Sequence, residues 1–159
     1  RVDYPFHVGV TEAGTVFSGT IKSAMGIGSL LLDGIGDTIR VSLTGPITEE
    51  VRVGFEILRS LGLRKRGVTI TSCPTCGRST IDVEKLAATL EKKLQHIDKP
   101  IHLAVMGCVV NGPGEAAEAD LGITGTKNKA VIFKKGKIFR QVKSQEAVDI
   151  LLAEIEKLL

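Results

Sequence analysis

The stretch TSCPTCGRST, Thr71 to Thr80, holds Cys73 and Cys76 in a C-x-x-C turn, and Cys108 is the one other cysteine of the chain. Such a pair serves three chemistries: half of a zinc site, a thioredoxin-like redox dithiol, or half of an iron–sulfur site. In a redox dithiol the nucleophilic thiol sits at a helix N-terminus that lowers its pKa. Here Gly77, Arg78, Ser79 and Thr80 separate the pair from the next helical pattern, and Cys108 would be left without a task. A tetrahedral zinc ion and a cubane cluster each take four ligands. Three cysteines therefore leave one position for a His or a carboxylate. An odd cysteine count also fits a reducing compartment better than a disulfide framework, which leads to the expectation of a cytoplasmic protein.

Cys108 lies in MGCVVNGPGE, Met106 to Glu115, where an apolar strand pattern gives way to a Gly/Pro loop. A lone cysteine is ordinarily a small buried hydrophobe. The loop Asn111-Gly112-Pro113-Gly114, however, exposes backbone N–H groups, and such groups hydrogen-bond cluster sulfurs and tune their potential. His102 shares strand parity with Cys108, but six residues of strand separate them, about 20 Å, too far for one metal. His7 and His96 belong to other segments. Glu115 ends the same loop and can fold back; its ordinary role is a solvated glutamate in the first turn of a helix.

The elements that must position these groups form two halves. Phe6 to Val10 reads as a short buried strand. Ile21, Ala24, Met25, Gly28, Leu31 and Leu32 follow at helical spacing, closed by Gly34. Thr38 to Thr44 is the next strand. Thr48 is the expected N-cap of a helix carrying Val51, Phe55, Leu58 and Leu61. This β-α-β-α order favours a parallel sheet with right-handed crossovers. The dense basic run Arg64-Lys65-Arg66 reads as a solvated helix end and linker, and the domain boundary falls near Arg64 to Gly67. The pattern then restarts: strand Val68 to Thr71, an amphipathic helix with Val83, Leu86, Leu90 and Leu94, strand Ile101 to Met106, and a loop from Asn111 to Gly125 with a short helical patch at Glu115 to Ala119. A hairpin through Lys134-Lys135-Gly136-Lys137 and a last helix capped by Ser144 complete it.

On strand Thr38 to Thr44, Thr38, Arg40, Ser42 and Thr44 share one face. Parallel sheets are normally apolar on both faces, and an Arg there is costly unless it meets an anion. Either this is an edge strand with one wet face, or it is a barrel strand whose polar side points into an active site. Thr11 and Glu12 follow the preceding strand at that same end, where barrel enzymes keep their catalytic groups.

Composition excludes some classes. Of 159 residues only 4% are aromatic, none is Trp, and the formal net charge is +3. That leaves neither a base-stacking platform nor a basic nucleic-acid face. No apolar run reaches the roughly 18–20 residues needed to span a bilayer. No nucleic-acid or membrane partner is expected. The chain opens on Arg rather than Met and soon enters a strand, so it is expected to begin inside a larger protein.

SCPTCGR followed by VMGCVVNGPGEAAEADLGI resembles the 4-hydroxy-3-methylbut-2-enyl diphosphate synthase family of the methylerythritol phosphate isoprenoid pathway. HVGVTEAGT, SGTIKSAMGIGSLLLDGIGDTIRVSLT and KAVIFKKGKI extend the likeness over essentially the whole chain. The resemblance implies a [4Fe–4S] cluster held by Cys73, Cys76 and Cys108, with Glu115 as an oxygen ligand on the fourth iron. It implies an α/β fold: the last two βα units of a TIM barrel in residues 1–66, then a small sulfite-reductase-like cluster domain in residues 67–159. It implies contacts from Arg40 and Ser42 to the phosphates of 2-C-methyl-D-erythritol 2,4-cyclodiphosphate, with Asn111 also on the substrate side and Glu12 as the candidate proton donor. Reduced flavodoxin or ferredoxin would supply electrons, and the complete enzyme would be a homodimer. A structural zinc module and a thioredoxin-like oxidoreductase are the alternatives.

Overall fold

In a computed structural model, residues 3–74, 76–108, 114, 117–126 and 129–159 are described. Asn111 and Glu115, two of the expected site residues, lie outside them, as does Ala116 of the expected helical patch at Glu115 to Ala119; Ala117 to Ala119 form a turn and a bend rather than a helix. The chain divides into two compact units, Arg1–Lys65 and Arg66–Leu159.

In the first unit β1 (His7–Gly9) is followed by α1 (Val16–Leu32), β2 (Thr38–Arg40) and α2 (Ile47–Ser60). β1 and β2 pair in parallel, with His7 opposite Thr38 and Gly9 opposite Arg40. Val8 and Val41 turn to the helices and pack with Ile27, Val53 and Ile57. The opposite face carries His7, Gly9, Thr38 and Arg40, all exposed. The second strand is shorter than expected. It ends at Arg40, and beyond it the chain touches the sheet again only at an isolated bridge between Thr15 and Thr44. Leu43 instead gives its N–H to the Glu50 carboxylate at 2.9 Å, so a side chain of α2 takes the place of a ladder partner. That helix begins at Ile47 after Pro46, and Thr48 is not its N-cap.

The second unit is a five-stranded sheet in the order β3 (Val68–Ser72), β4 (Ile101–Met106), β5 (Leu121–Gly125), β6 (Lys129–Lys134), β7 (Lys137–Lys143). β3, β4 and β5 run parallel, and β6 and β7 are antiparallel additions. α3 (Val83–Leu94) and α4 (Ala147–Glu156) share one face, where Leu90, Leu94, Leu151 and Ile155 meet Leu103, Val105, Leu121, Ile123 and Ile132. On the other face Ala104 and Met106 are buried against Ala119. The sequence reading placed Leu121–Gly125 in a loop. It is a fully buried strand, and its two glycines hid that character. Ser144 does not cap α4; the residue before the helix is Glu146, without a side-chain cap. In the basic run Lys65 and Arg66 are exposed, Arg66 binding Asp98 at the surface, while Arg64 is half-buried 4.0 Å from the centre of the Phe55 ring.

Candidate functional site

The two units each present a group of functional side chains. In the first unit the sheet face away from the helices is polar because alternate residues of two parallel strands meet across it. His7 Nδ1 lies 2.7 Å from Thr38 Oγ1. Two pairs further along, Gly9 faces Arg40, and a Cβ on Gly9 would come within 2.6 Å of the Arg40 carbonyl and 3.3 Å of its Nε. The missing side chain therefore leaves the channel through which Arg40 crosses β1. Its guanidinium donates to Thr11 Oγ1 at 3.1 Å. The next residue, Glu12, is exposed and has φ +57°, left-handed backbone that a non-glycine residue rarely adopts. Such strain collects at functional sites. Ser42 is half-buried beyond the end of β2. Sequence reasoning singled out Arg40, Ser42, Glu12 and Thr11 and set Thr38 on the face of Arg40, but missed His7 as a member of the same face. Strand parity was the available signal: His7 and Gly9 alternate with the buried Val8.

In the second unit Cys73 follows β3 and Cys108 follows its parallel neighbour β4. The ladder runs one residue past the strand, Cys73 N–H to the Val105 carbonyl at 3.2 Å. The Cys73 sulfur in turn accepts the Gly107 N–H at 3.0 Å, so it reaches the residue immediately before Cys108. Gly107 must be glycine for this approach, since a Cβ would collide with the Ser79 side chain. Cys76 is exposed, and a hydrogen bond from the Arg78 backbone, helped by the Arg78 guanidinium, holds its pKa below the usual thiol range. α3 begins only at Val83, where Asp82 accepts the Lys85 N–H at 3.0 Å. The pair thus lies outside the helix N-terminus that a thioredoxin-type thiol uses. All three thiols are free. Among the described residues no three His, Cys, Asp or Glu side chains stand close enough to share one metal ion. A cube asks for less, because its ligands bind separate corner irons. The donor chemistry fits such a group: soft sulfurs on adjoining parallel strand ends, one backbone N–H already directed at sulfur, and one thiol biased to thiolate. Sequence reasoning missed the Gly107 donor and the Arg78 partner, although Arg78 stands two residues from Cys76 in the motif.

A polar sheet face carrying Arg40 in one unit and a set of sulfur donors in the other define the class, an α/β protein with a parallel βα pair and a thiol-bearing domain. Two family models divide the chain in the same way: the GcpE TIM-barrel domain matches residues 1–55 and the GcpE protein C-terminal domain matches residues 69–157. The chain belongs to the GcpE family. It is 65% identical over 158 residues to a protein of Caldanaerobacter subterraneus subsp. tengcongensis, 99% of this chain and 44% of the relative. It is 58% identical over 159 residues to one of Geobacter sulfurreducens, the whole of this chain and 45% of the relative. A protein of Clostridium acetobutylicum is 60% identical, with 99% and 45% covered. All three carry the name 4-hydroxy-3-methylbut-2-en-1-yl diphosphate synthase (flavodoxin). The chain spans less than half the length of these relatives. Among the described residues no helix is long and apolar enough to cross a membrane.

Proposed function

We propose that the chain is the substrate-closing and cluster-bearing part of an iron–sulfur oxidoreductase that reduces 2-C-methyl-D-erythritol 2,4-cyclodiphosphate to 4-hydroxy-3-methylbut-2-enyl diphosphate. The observation that carries this reading is the reach of the Cys73 sulfur to the residue preceding Cys108 across two parallel strand ends. Cys73, Cys76 and Cys108 would hold three irons of a [4Fe–4S] cluster, and Glu115 would hold the fourth. Bound there, the cluster supplies single-electron transfer and one iron whose hard carboxylate ligand exchanges more readily than a thiolate. Residues 1–66 belong to the barrel that holds substrate, and residues 67–159 form a sulfite-reductase-like domain.

The protein's own contribution is binding and protonation. Arg40, steadied by Thr11, turns its remaining N–H donors to the diphosphate, for which a planar fork is suited. Ser42 adds a hydroxyl to the same anion. Glu12 stands beyond the end of β1, beside the Thr11–Arg40 contact, and donates the proton with which the departing hydroxyl leaves as water. Asn111 contributes an amide from the cluster loop. Reduced flavodoxin or ferredoxin delivers two electrons singly. The complete protein is a homodimer in which the cluster domain closes over the partner's barrel.

The test is an anaerobic iron and acid-labile sulfide determination on the full-length protein, with its visible spectrum. The expected result is about four irons per chain with broad visible absorption, lost in Cys108→Ser. A colourless protein with a single zinc per chain would establish the zinc module instead.

A further inference from the structure

The β6–β7 hairpin, residues 129–143, carries six cations and no carboxylate, against a net charge of +3 for the entire chain. Several of these charges are committed. Lys134 lies 3.9 Å from Glu154, and Lys143 lies 4.0 Å from Glu146. Lys135 and Lys137 at the tip form no ion pair with a described residue. The tip itself is built at some cost in backbone preference. Lys135 and Gly136 both have positive φ, +49° and +72°, as a two-residue primed turn requires. The favoured residue at the first position is Asn or Asp, yet a lysine stands there. β7 is the edge of the sheet, and next to the charged tip it exposes Ile138 (67%) and Phe139 (47%). Phe139 sits in the register shift that opposes Ile138 and Arg140 to Phe133 and Ile132. This hairpin also touches the segment that follows Cys108. The Lys135 N–H bonds the Asp120 carbonyl at 3.2 Å, and Gly136 packs so closely on Ala117 that a Cβ would lie 3.0 Å from its Cα.

We propose that the tip and edge of this hairpin, Lys135, Lys137, Ile138 and Phe139, form the docking surface for an acidic protein electron carrier. The inference rests on the cluster reading above and adds to it the place where electrons enter. A cationic rim around a small apolar centre is the composition of a transient protein–protein contact, where rim charges set encounter rate and salt dependence. The carrier is a protein because the exposed centre, Ile138 and Phe139, is apolar. It is acidic because no carboxylate interrupts the hairpin. Contact with Ala117 and Asp120 joins the hairpin to the stretch of chain that follows Cys108 in sequence.

Edge strands also carry lysines and bulges merely to prevent sheet-to-sheet aggregation, and the experiment separates the two roles. The full-length holoenzyme is assayed with reduced flavodoxin and, in parallel, with dithionite. The variants are Lys135→Asn and Lys137→Glu, separately and together; Lys135→Asn suits the turn better than the native residue, so it preserves folding. The double variant is expected to raise KM for flavodoxin about tenfold at low salt, with the difference shrinking as salt rises. Turnover with dithionite and the visible spectrum stay unchanged. An unaltered flavodoxin KM, or a variant that only aggregates, overturns the docking proposal and leaves the cluster reading intact. Absence of cluster absorption in the unmodified enzyme defeats the cluster reading itself, and the docking proposal with it. An equal loss of turnover with both reductants assigns the lysines to the structure of the site rather than to docking.

Discussion

Glu154 is a carboxylate only 6% exposed, on the face of α4 that meets the sheet. It accepts an ion pair from Lys157 one turn on, with Lys134 at 3.9 Å and Arg140 nearby. The Lys157 hydrogen bond, reinforced by the charges of all three cations and opposed by desolvation, holds its pKa below the usual carboxylate range. A carboxylate whose folded-state pKa is depressed stabilises the fold above its unfolded pKa, about 4.3 for Glu. That contribution fades as pH falls through the folded value. Glu154→Gln is therefore expected to melt lower than the native chain at pH 7, and the gap in Tm is expected to close on acidification below about pH 4. Melting by circular dichroism between pH 3 and pH 7 measures it; a gap independent of pH would assign the effect to packing alone. Nothing in the sequence pattern singled out Glu154. It stands beside Ile155 in a helix whose apolar positions already accounted for the buried face, and only the lysine three residues later hinted at a held charge. The chemical residues of the sulfur site were legible for the opposite reason: cysteine is scarce, and its spacing is informative without knowledge of packing. Arg40 was legible because a charge interrupted an alternating strand. Its partner across the pair, Gly9, was not, because a glycine announces freedom and not what passes over it.

Elements were legible where a single face is buried and obscure where more than one is. α3 illustrates the first case. Val83, Leu90 and Leu94 are buried at the spacing read from sequence, and Asp82 caps the helix through the Lys85 N–H. Asp82→Ala is expected to cost about 1 kcal/mol. Urea denaturation would show it as a lower midpoint with an unchanged slope. An unchanged midpoint would mean that the cap is replaced by water without loss. α1 illustrates the second case. Of the stripe read from sequence, Ile21, Ala24, Met25 and Leu32 are exposed, while Gly28 is buried and Leu31 packs against the core; the buried Ser23 and Ile27 lay outside that stripe. α2 behaves alike: Val53, Gly54 and Ile57 are buried, and Ile47, Val51 and Phe55 are exposed. Each helix thus carries a second apolar side beyond the one its own sheet covers. Barrel helices do so because they also pack against helices beside them. β5 was missed because its pattern, buried on both faces and interrupted by Gly122 and Gly125, lacks the alternation by which a strand is read.

The two units differ in how completely each buries itself, and this difference should govern which part opens first. Residues 66–159 form a five-stranded sheet with helices on one face and Ala119 packed on the other, and Leu103, Val105, Leu121, Ile123 and Ile132 are at most 1% exposed. Residues 1–65 hold a two-stranded sheet of three residues per strand and leave Phe17, Met25, Leu32 and Ile47 more than 70% exposed. Two strands alone are marginally stable in water, and a (β/α)₈ barrel takes about 250 residues to close its sheet and cover its helices. Hydrogen exchange on the 159-residue chain is therefore expected to show slow amides in β4, β5 and β6 that open only with the whole second unit. Amides of β1 and β2 are expected to exchange at least about a hundredfold faster through local opening. Strands that complete a barrel would pair the free edges of β1 and β2, so in the full-length protein their exchange is expected to slow toward that of the second unit while β4–β6 stay as they were. Equal protection of both units in the shorter chain would mean that the βα pair is stable without barrel neighbours, and the uncovered sides of α1 and α2 would then need another explanation.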